Sequence, residues 1–254
     1  MRVDLLGCPV DVLSLPETVA LICDRIEKRK RLHHVALNVA KLVNMRSDPE
    51  LAADVRASDL IGIDGMGILV ALRLLGKPVE ERVTGIDLMG AVIAVCAQRG
   101  FRPYLIGARP EIVATAAARL KDMHPTLEIA GIRDGYFKAA DEASIIADIR
   151  SSNADCLFVA MPSPRKERFL AAYRDELDVP FIMGVGGSFD VIAGKVRRAP
   201  PIMQRNGFEW LYRTYQEPQR MWWRYARTNT LFAGMLAKAL VEYAVAPHGG
   251  RTQR

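Results

Sequence analysis

Asp64 has the setting best suited to chemistry. It closes the run Asp59-Leu-Ile-Gly-Ile-Asp64 and is followed by Gly65-Met66-Gly67. Leu60, Ile61 and Ile63 are apolar and two of them are β-branched, which predicts a short buried strand. A helical pattern runs from Met66 to Leu75. In an open α/β sheet ligands bind at the carboxyl ends of strands, so this order delivers a carboxylate to where chemistry is usually done. Taken alone, the same residues more often describe a helix cap or an Asp-Gly turn. Glycines make a second set of candidates. Gly65-x-Gly67 and Gly184-Val-Gly186-Gly187 allow backbone N–H groups to approach phosphate oxygens, and a helix start adds a favourable dipole. Neither loop has the third glycine of a dinucleotide fingerprint. There is no P-loop lysine signature, position 190 is Asp where a nucleophile elbow would need glycine, and no Asp-x-Asp pair occurs.

Regular elements must carry these residues. Arg2 to Leu6 is a predicted strand, and Leu15 to Lys30 an amphipathic helix with Ser14 as cap and Glu17 three residues on. His34 to Leu37 is the next strand; it ends at Asn38, which opens a helix holding Lys41, Leu42 and Met45. Another helix runs from Asp48-Pro49 to Ala57. After the Asp64 unit, Arg82-Val-Thr84-Gly-Ile-Asp87-Leu88 leads into a long apolar helix stopped by Gly100. From residue 101 strand, loop and helix alternate. Strands are predicted over 102–106, 127–132, 155–160 and 179–183, with helices over 110–123 and 141–150 and one after Glu167 that runs to about 173. Their loops hold Gly107, Gly135-Tyr136-Phe137, Met161-Pro-Ser163-Pro-Arg-Lys166-Glu167 and Gly184-to-Asp190. Four such units in about 90 residues predict a parallel sheet. The expected class is α/β, Rossmann-like, with largely parallel sheet in two closely joined lobes, about 1–100 and 101–194, and a helical appendage over 195–254.

Charge separates that appendage from the rest. From Lys195 onward eleven Lys/Arg stand against three Asp/Glu, a net of +8, whereas the first 194 residues carry −2. Such asymmetry suggests a phosphate-bearing partner. One helix is predicted near Gly207 to Arg213 and another from Pro218, holding Arg220, Trp222, Trp223, Arg224 and Arg227; an apolar stretch follows from Leu231 to Val245. Arg and Trp interleaved on short helices suit an anionic membrane surface. A helix pair docked on the core is the competing reading, and nucleic acid is disfavoured for lack of a recognised motif. No signal peptide or membrane-spanning run is expected. Cys8, Cys23, Cys96 and Cys156 are scattered and expected to be buried reduced thiols. The four histidines make no metal site: His33 and His34 would point to opposite faces of a strand, His124 precedes a proline and His248 lies in the tail.

In order and spacing these loops resemble the WecG/TagA/CpsF glycosyltransferases, family 26. The resemblance rests on Asn38 with Lys41-Leu42, Ile63-Asp64-Gly65-x-Gly67, Arg82-to-Leu88, Gly107, Gly135-Tyr-Phe137, Ser163-Pro164 with Glu167, Gly184-to-Asp190, Arg198-Ala-Pro200, and Gly207-to-Leu211 with Glu217-Pro218 and Arg220. It covers about residues 1 to 220. It implies an inverting transferase, needing no metal or other cofactor, that moves a sugar from a UDP-sugar to a polyprenyl-diphosphate-linked sugar. Asp64 maps onto the family's proposed base. Substrate contacts are expected from Asn38, Gly65, Thr84, Asp87, Gly107, Tyr136, Ser163, Lys166, Glu167, Gly184, Gly186, Gly187 and Asp190. Arg198, Arg205, Arg213, Arg220, Trp222, Trp223 and Arg224 are expected to meet lipid diphosphate or membrane. The implied location is the inner face of the cell membrane, reached from the cytoplasm, with a homo-oligomer left open. Two positions depart from the pattern: Ala36 stands where many members have Thr, and Lys166 where many have Gln. They leave the sugar open, with glucosyl transfer in exopolysaccharide assembly favoured. An NAD-type oxidoreductase on the same sheet is the alternative, weakened by the missing glycine.

Overall fold

The computed structural model describes residues 1–245; residues 246–254, including His248, and the side chain of Arg220 lie outside the described residues. β1 (Arg2–Leu5) and β2 (Cys8–Asp11) form an antiparallel pair. α1 (Leu15–Glu27) begins at the Ser14–Glu17 capping box, as expected. β3 (Leu32–Leu37) leads into α2 (Val39–Asn44) and α3 (Pro49–Arg56), capped by Asn38 and Asp48. β4 (Leu60–Ile63) leads into α4 (Met66–Leu74), and α5 (Gly85–Arg99) ends at Gly100 in the left-handed conformation. Then come β5 (Pro103–Gly107), α6 (Pro110–Met123), β6 (Gly131–Arg133), α7 (Glu142–Ser151), β7 (Cys156–Ala160), α8 (Arg165–Ala172), β8 (Phe181–Gly184) and α9 (Ser188–Ile192). The appendage holds α10 (Pro201–Arg205), α11 (Glu209–Gln216) and α12 (Pro218–Val245).

Six strands make one parallel sheet in the order β4-β3-β8-β7-β5-β6. The two expected lobes are therefore joined through backbone hydrogen bonds between β3 and β8. Alternation along the strands divides the core. Leu105, Phe158, Phe181 and Met183 pack on α1, α5 and α6. On the other face, Val35, Leu37, Ile61 and Ile63 pack on α2, α3 and α4, while Ile106, Val159 and Ile182 pack on α7 and α8. The buried strands read as near-continuous apolar runs because both faces are covered. Edge strand β4 is closed off by side chains of the β1–β2 pair: Asp11 accepts from Ile61 N at 2.8 Å and Arg2 donates to Asp59 O at 2.8 Å.

Three expectations need correction. Of the strand expected over 127–132, only Gly131–Arg133 pairs, against Tyr104–Ile106 of β5; Leu127 instead packs into the core. β2 was not expected; it holds Pro9 but pairs only with β1, so that the lost donor costs little at an edge. Finally, α12 is one 28-residue helix where a helix and a separate apolar stretch were expected. It lies against α2, with Phe232 buried beside Val39 and Met66. No described helix is long and apolar enough to cross a membrane. All four cysteines are buried and free. His33 and His34 are both buried; His33 Nδ1 lies 3.5 Å from Ser58 Oγ, and His34 covers Gly62.

Candidate active site

Register places the candidates at one level. Leu37 pairs with Ile63, so Asn38 and Asp64 leave their strands side by side. Asp64 N and Gly65 N both donate to Leu37 O, at 3.0 and 3.3 Å. Asn38 Oδ1 caps α2 by accepting from Lys41 N at 3.1 Å, which turns its amide nitrogen toward Asp64 Oδ2 at 3.5 Å. The other carboxylate oxygen, Oδ1, accepts from Gly85 N at 2.8 Å, at the start of α5. Arg82 donates to Asp64 O at 3.2 Å, and Val83 N to Ile63 O at 2.8 Å. Asp64 is thus held through its main chain and one oxygen, while Oδ2 has only a long contact and the side chain is half-buried. That is the state a general base needs: oriented, reachable and with a lone pair to spend. Ala36 belongs to the same corner, since a side chain at Gly85 would meet both Ala36 Cβ and Asp64 Oδ1.

A buried ion cluster lies beside this corner. Glu167 Oε1 is 3.0 Å from Lys41 Nζ and 3.3 Å from Lys166 Nζ, and all three side chains are buried. Opposite charge at short range holds the three together. Burial alone would raise the Glu167 carboxyl, but Lys41, Lys166 and the Ser163 hydroxyl hold it at about 2. Burial, with Lys41 alongside, pushes the Lys166 ammonium down to about 8 against the attraction of Glu167 and Asp64. The Lys166 stem crosses Gly184 at the end of β8, where an added Cβ would stand 2.4 Å from Cε.

The remaining loops form the other side of the carboxyl edge. Gly107 pairs with Ala160, and its φ of +124° puts its Cα face within 2.4 Å of Ala160 O for any added Cβ, so this crossing needs glycine. Gly135 packs on Gly107, leaving Tyr136 72% exposed above them. Arg165 ties this loop to α8 by donating to Gly135 O and Phe137 O, at 3.0 and 2.7 Å. Ser163 is exposed ahead of α8. Gly186 is exposed with φ +52°, and the Arg213 guanidinium of α11 lies over Gly187. The Asp190 carboxylate, in α9, lies 3.9 Å from Lys195 Nζ.

The appendage is docked on these loops. Arg198, expected at a phosphate, here grips Asp87 through two contacts of 2.7 Å, and Asp87 also accepts from Thr84 Oγ1 at 2.6 Å. Arg213 joins the glycine loop, whereas Arg205 is exposed at the end of α10. Trp222 and Trp223 are exposed on α12 with Arg224, whose guanidinium stacks on Tyr225. Sequence reading left Lys41, Arg82, Arg165 and Glu209 out of the site. Lys41 and Arg82 lie inside the motifs, but only their burial and partners reveal a role. Two surface clefts lie at the opposite, amino edge of the sheet, one beside Arg25 and Arg31, one beside α7, and neither contains an expected site residue. Among the described residues no three His, Cys, Asp or Glu side chains converge as metal ligands.

Comparison with known proteins gives the chain a family. The family model for the WecG/TagA/CpsF glycosyl transferases matches residues 3–245. Among curated relatives, the N-acetylglucosaminyldiphosphoundecaprenol N-acetyl-beta-D-mannosaminyltransferase of Bacillus spizizenii is 36% identical over 177 residues, which is 70% of this chain and 67% of that protein.

Proposed function

The chain belongs to the WecG/TagA/CpsF glycosyl transferase family, and from that premise we propose that it moves a hexosyl group from a UDP-sugar to a sugar carried on polyprenyl diphosphate. The observation that carries this reading is Asp64, oriented by Gly85 N and Arg82 with Oδ2 left open to a substrate hydroxyl. Transfer is a single in-line displacement. Asp64 takes the proton of the acceptor hydroxyl, the oxygen forms a bond to the anomeric carbon, and the bond from that carbon to the UDP oxygen breaks, with UDP keeping the electron pair. The anomeric configuration inverts. The diphosphate charge is met, without a metal, by Arg213, Lys166 and the N–H groups of the 184–187 loop. Tyr136, exposed beside Gly107 and Gly135, offers a face for the uracil ring.

The acceptor's lipid requires a membrane. We assign that contact, at the inner face of the cell membrane, to Trp222, Trp223 and Arg224, which α12 presents outward while its other face packs on the core. Ala36 beside Asp64 and Lys166 beside Gly184 depart from the family's pattern, so the donor need not be of the N-acetylmannosamine type, and glucose is the first alternative to test. The deciding experiment is a panel of radiolabelled UDP-sugars offered with lipid-diphosphate-linked sugars. Transfer from one donor to a lipid-linked product supports the reading; label that reaches no acceptor in the panel, with UDP binding absent by calorimetry, overturns it.

A further inference from the structure

We infer that Glu209 of the appendage is a positioning residue for Asp64, acting through the Arg82 guanidinium; this rests on the reading of Asp64 as the base. Arg82 is a bridge. Its Nη1 donates to Asp64 O at 3.2 Å, and its Nη2 to Gln204 O at 2.8 Å and to Glu209 Oε2 at 2.5 Å. Its side chain is only 13% exposed. A guanidinium presents its donors in a rigid planar fork, so fixing Nη2 on the appendage fixes where Nη1 points. Asp64 O is therefore restrained, through Arg82, by a residue that lies 127 positions beyond Arg82 in the chain.

The segment that Arg82 begins does the rest of the holding. Val83 N binds Ile63 O, and Gly85 N binds Asp64 Oδ1. Three residues from Arg82 to Gly85 thus grip the end of β4 through a main-chain oxygen, the carboxylate and the preceding carbonyl. The appendage takes hold of the same segment a second time through Arg198 on Asp87. The two ion pairs have opposite polarity: cation on the core at Arg82, cation on the appendage at Arg198. They hold one register, because a shifted appendage would set Arg198 toward Arg82 and Glu209 toward Asp87. The carboxylate's aim is consequently set by whether α10 and α11 are seated. An error of about 1 Å at a reacting group can cost on the order of 100-fold in rate.

The test is a double-mutant cycle on the full chain with vesicle-borne acceptor. Glu209→Gln is expected to lower kcat about 10- to 100-fold, with donor and acceptor KM within about twofold and vesicle binding unchanged. In an Asp64→Asn background the same change is expected to cost less than about twofold, because the group it aims is no longer a base. An equal loss in both backgrounds, a change confined to KM, or an unchanged kcat overturns the inference. Should Glu209→Gln fail to fold, Arg82→Lys serves instead; it keeps a cation for Glu209 but loses the fork to Asp64 O, and an unchanged kcat there is equally fatal. Full activity of Asp64→Asn alone would strike the base reading itself, which that arm reports separately.

Discussion

At the scale of single residues, two carboxylates at the carboxyl edge of the sheet are given different work by their surroundings. Asp64 is half-buried with one oxygen engaged, whereas Glu167 is 2% exposed between two ammonium groups. Asp64→Asn keeps the shape and the acceptor for Gly85 N but cannot take a proton, so kcat is expected to fall at least about 100-fold with the fold intact. Circular dichroism beside the transfer assay checks both halves. Glu167→Gln leaves two buried ammonium groups without their counter-charge, and is expected to cost about 3–5 kcal/mol by denaturant titration. The pH dependence has a definite sign. Glu167 is held at about 2 against an ordinary 4.5, so its stabilisation is present above pH 4.5 and is lost as pH falls towards 2. Lys166 sits at about 8 against 10.5, so the unfolded chain holds the extra proton between those values and stability rises with pH across that window. Measured against Lys166→Met, the native protein should therefore gain stability between pH 8 and 10.5. A flat difference would remove Lys166 from the ion cluster.

At the scale of elements, α12 has two faces with separate duties. Met221, Thr228 and Phe232 are buried, at spacings of seven and four that keep one stripe on the core. Trp222 and Trp223 are 64% and 73% exposed, so replacing both by Ser should leave the melting temperature almost unchanged. Binding to anionic vesicles should weaken at least about 10-fold, from the loss of two side chains each able to bury on the order of 1.5–3 kcal/mol. Sedimentation with vesicles measures it, and undiminished binding would move the membrane contact elsewhere. Truncation after Gly194 is a blunter probe. It should abolish activity and vesicle binding, but it also uncovers the core surface beneath Phe232.

At the scale of the molecule, one parallel sheet and one appendage share a core. Phe232 packs with Val39 and Met66, which belong to the units that carry Asn38 and Asp64. Phe232→Ala is expected to cost about 3 kcal/mol and to leave a single thermal transition, because appendage and core lose contacts together. Two resolved transitions would show that the appendage unfolds by itself. Gly107→Ala tests the opposite end of the site. With φ at +124° and a backbone oxygen 2.4 Å from the new Cβ, it should lose at least about 2 kcal/mol and donor binding with it.

Much of this was legible from local pattern. The Ser14–Glu17 cap, the helix over 110–123 and the strand that ends before Asp64 follow from rules that reach no further than four residues. The motif order placed Asp64 in a glycosyltransferase family, with which the match over residues 3–245 agrees. Partners remote in sequence were not legible. Nothing in the neighbourhood of Arg82 names Glu209, and nothing near Asp87 names Arg198, 111 residues away. Sequence set Lys166 among the substrate contacts and Lys41 in a motif without a role; only packing buries both on one carboxylate. Local sequence therefore determined the elements, the carboxyl-edge loops and the place of Asp64 at the end of its strand, because backbone geometry and side-chain periodicity act over a few residues. Only the tertiary structure decided which oxygen of Asp64 is free and what holds the other, because those contacts depend on strand register and on where a distant helix comes to rest.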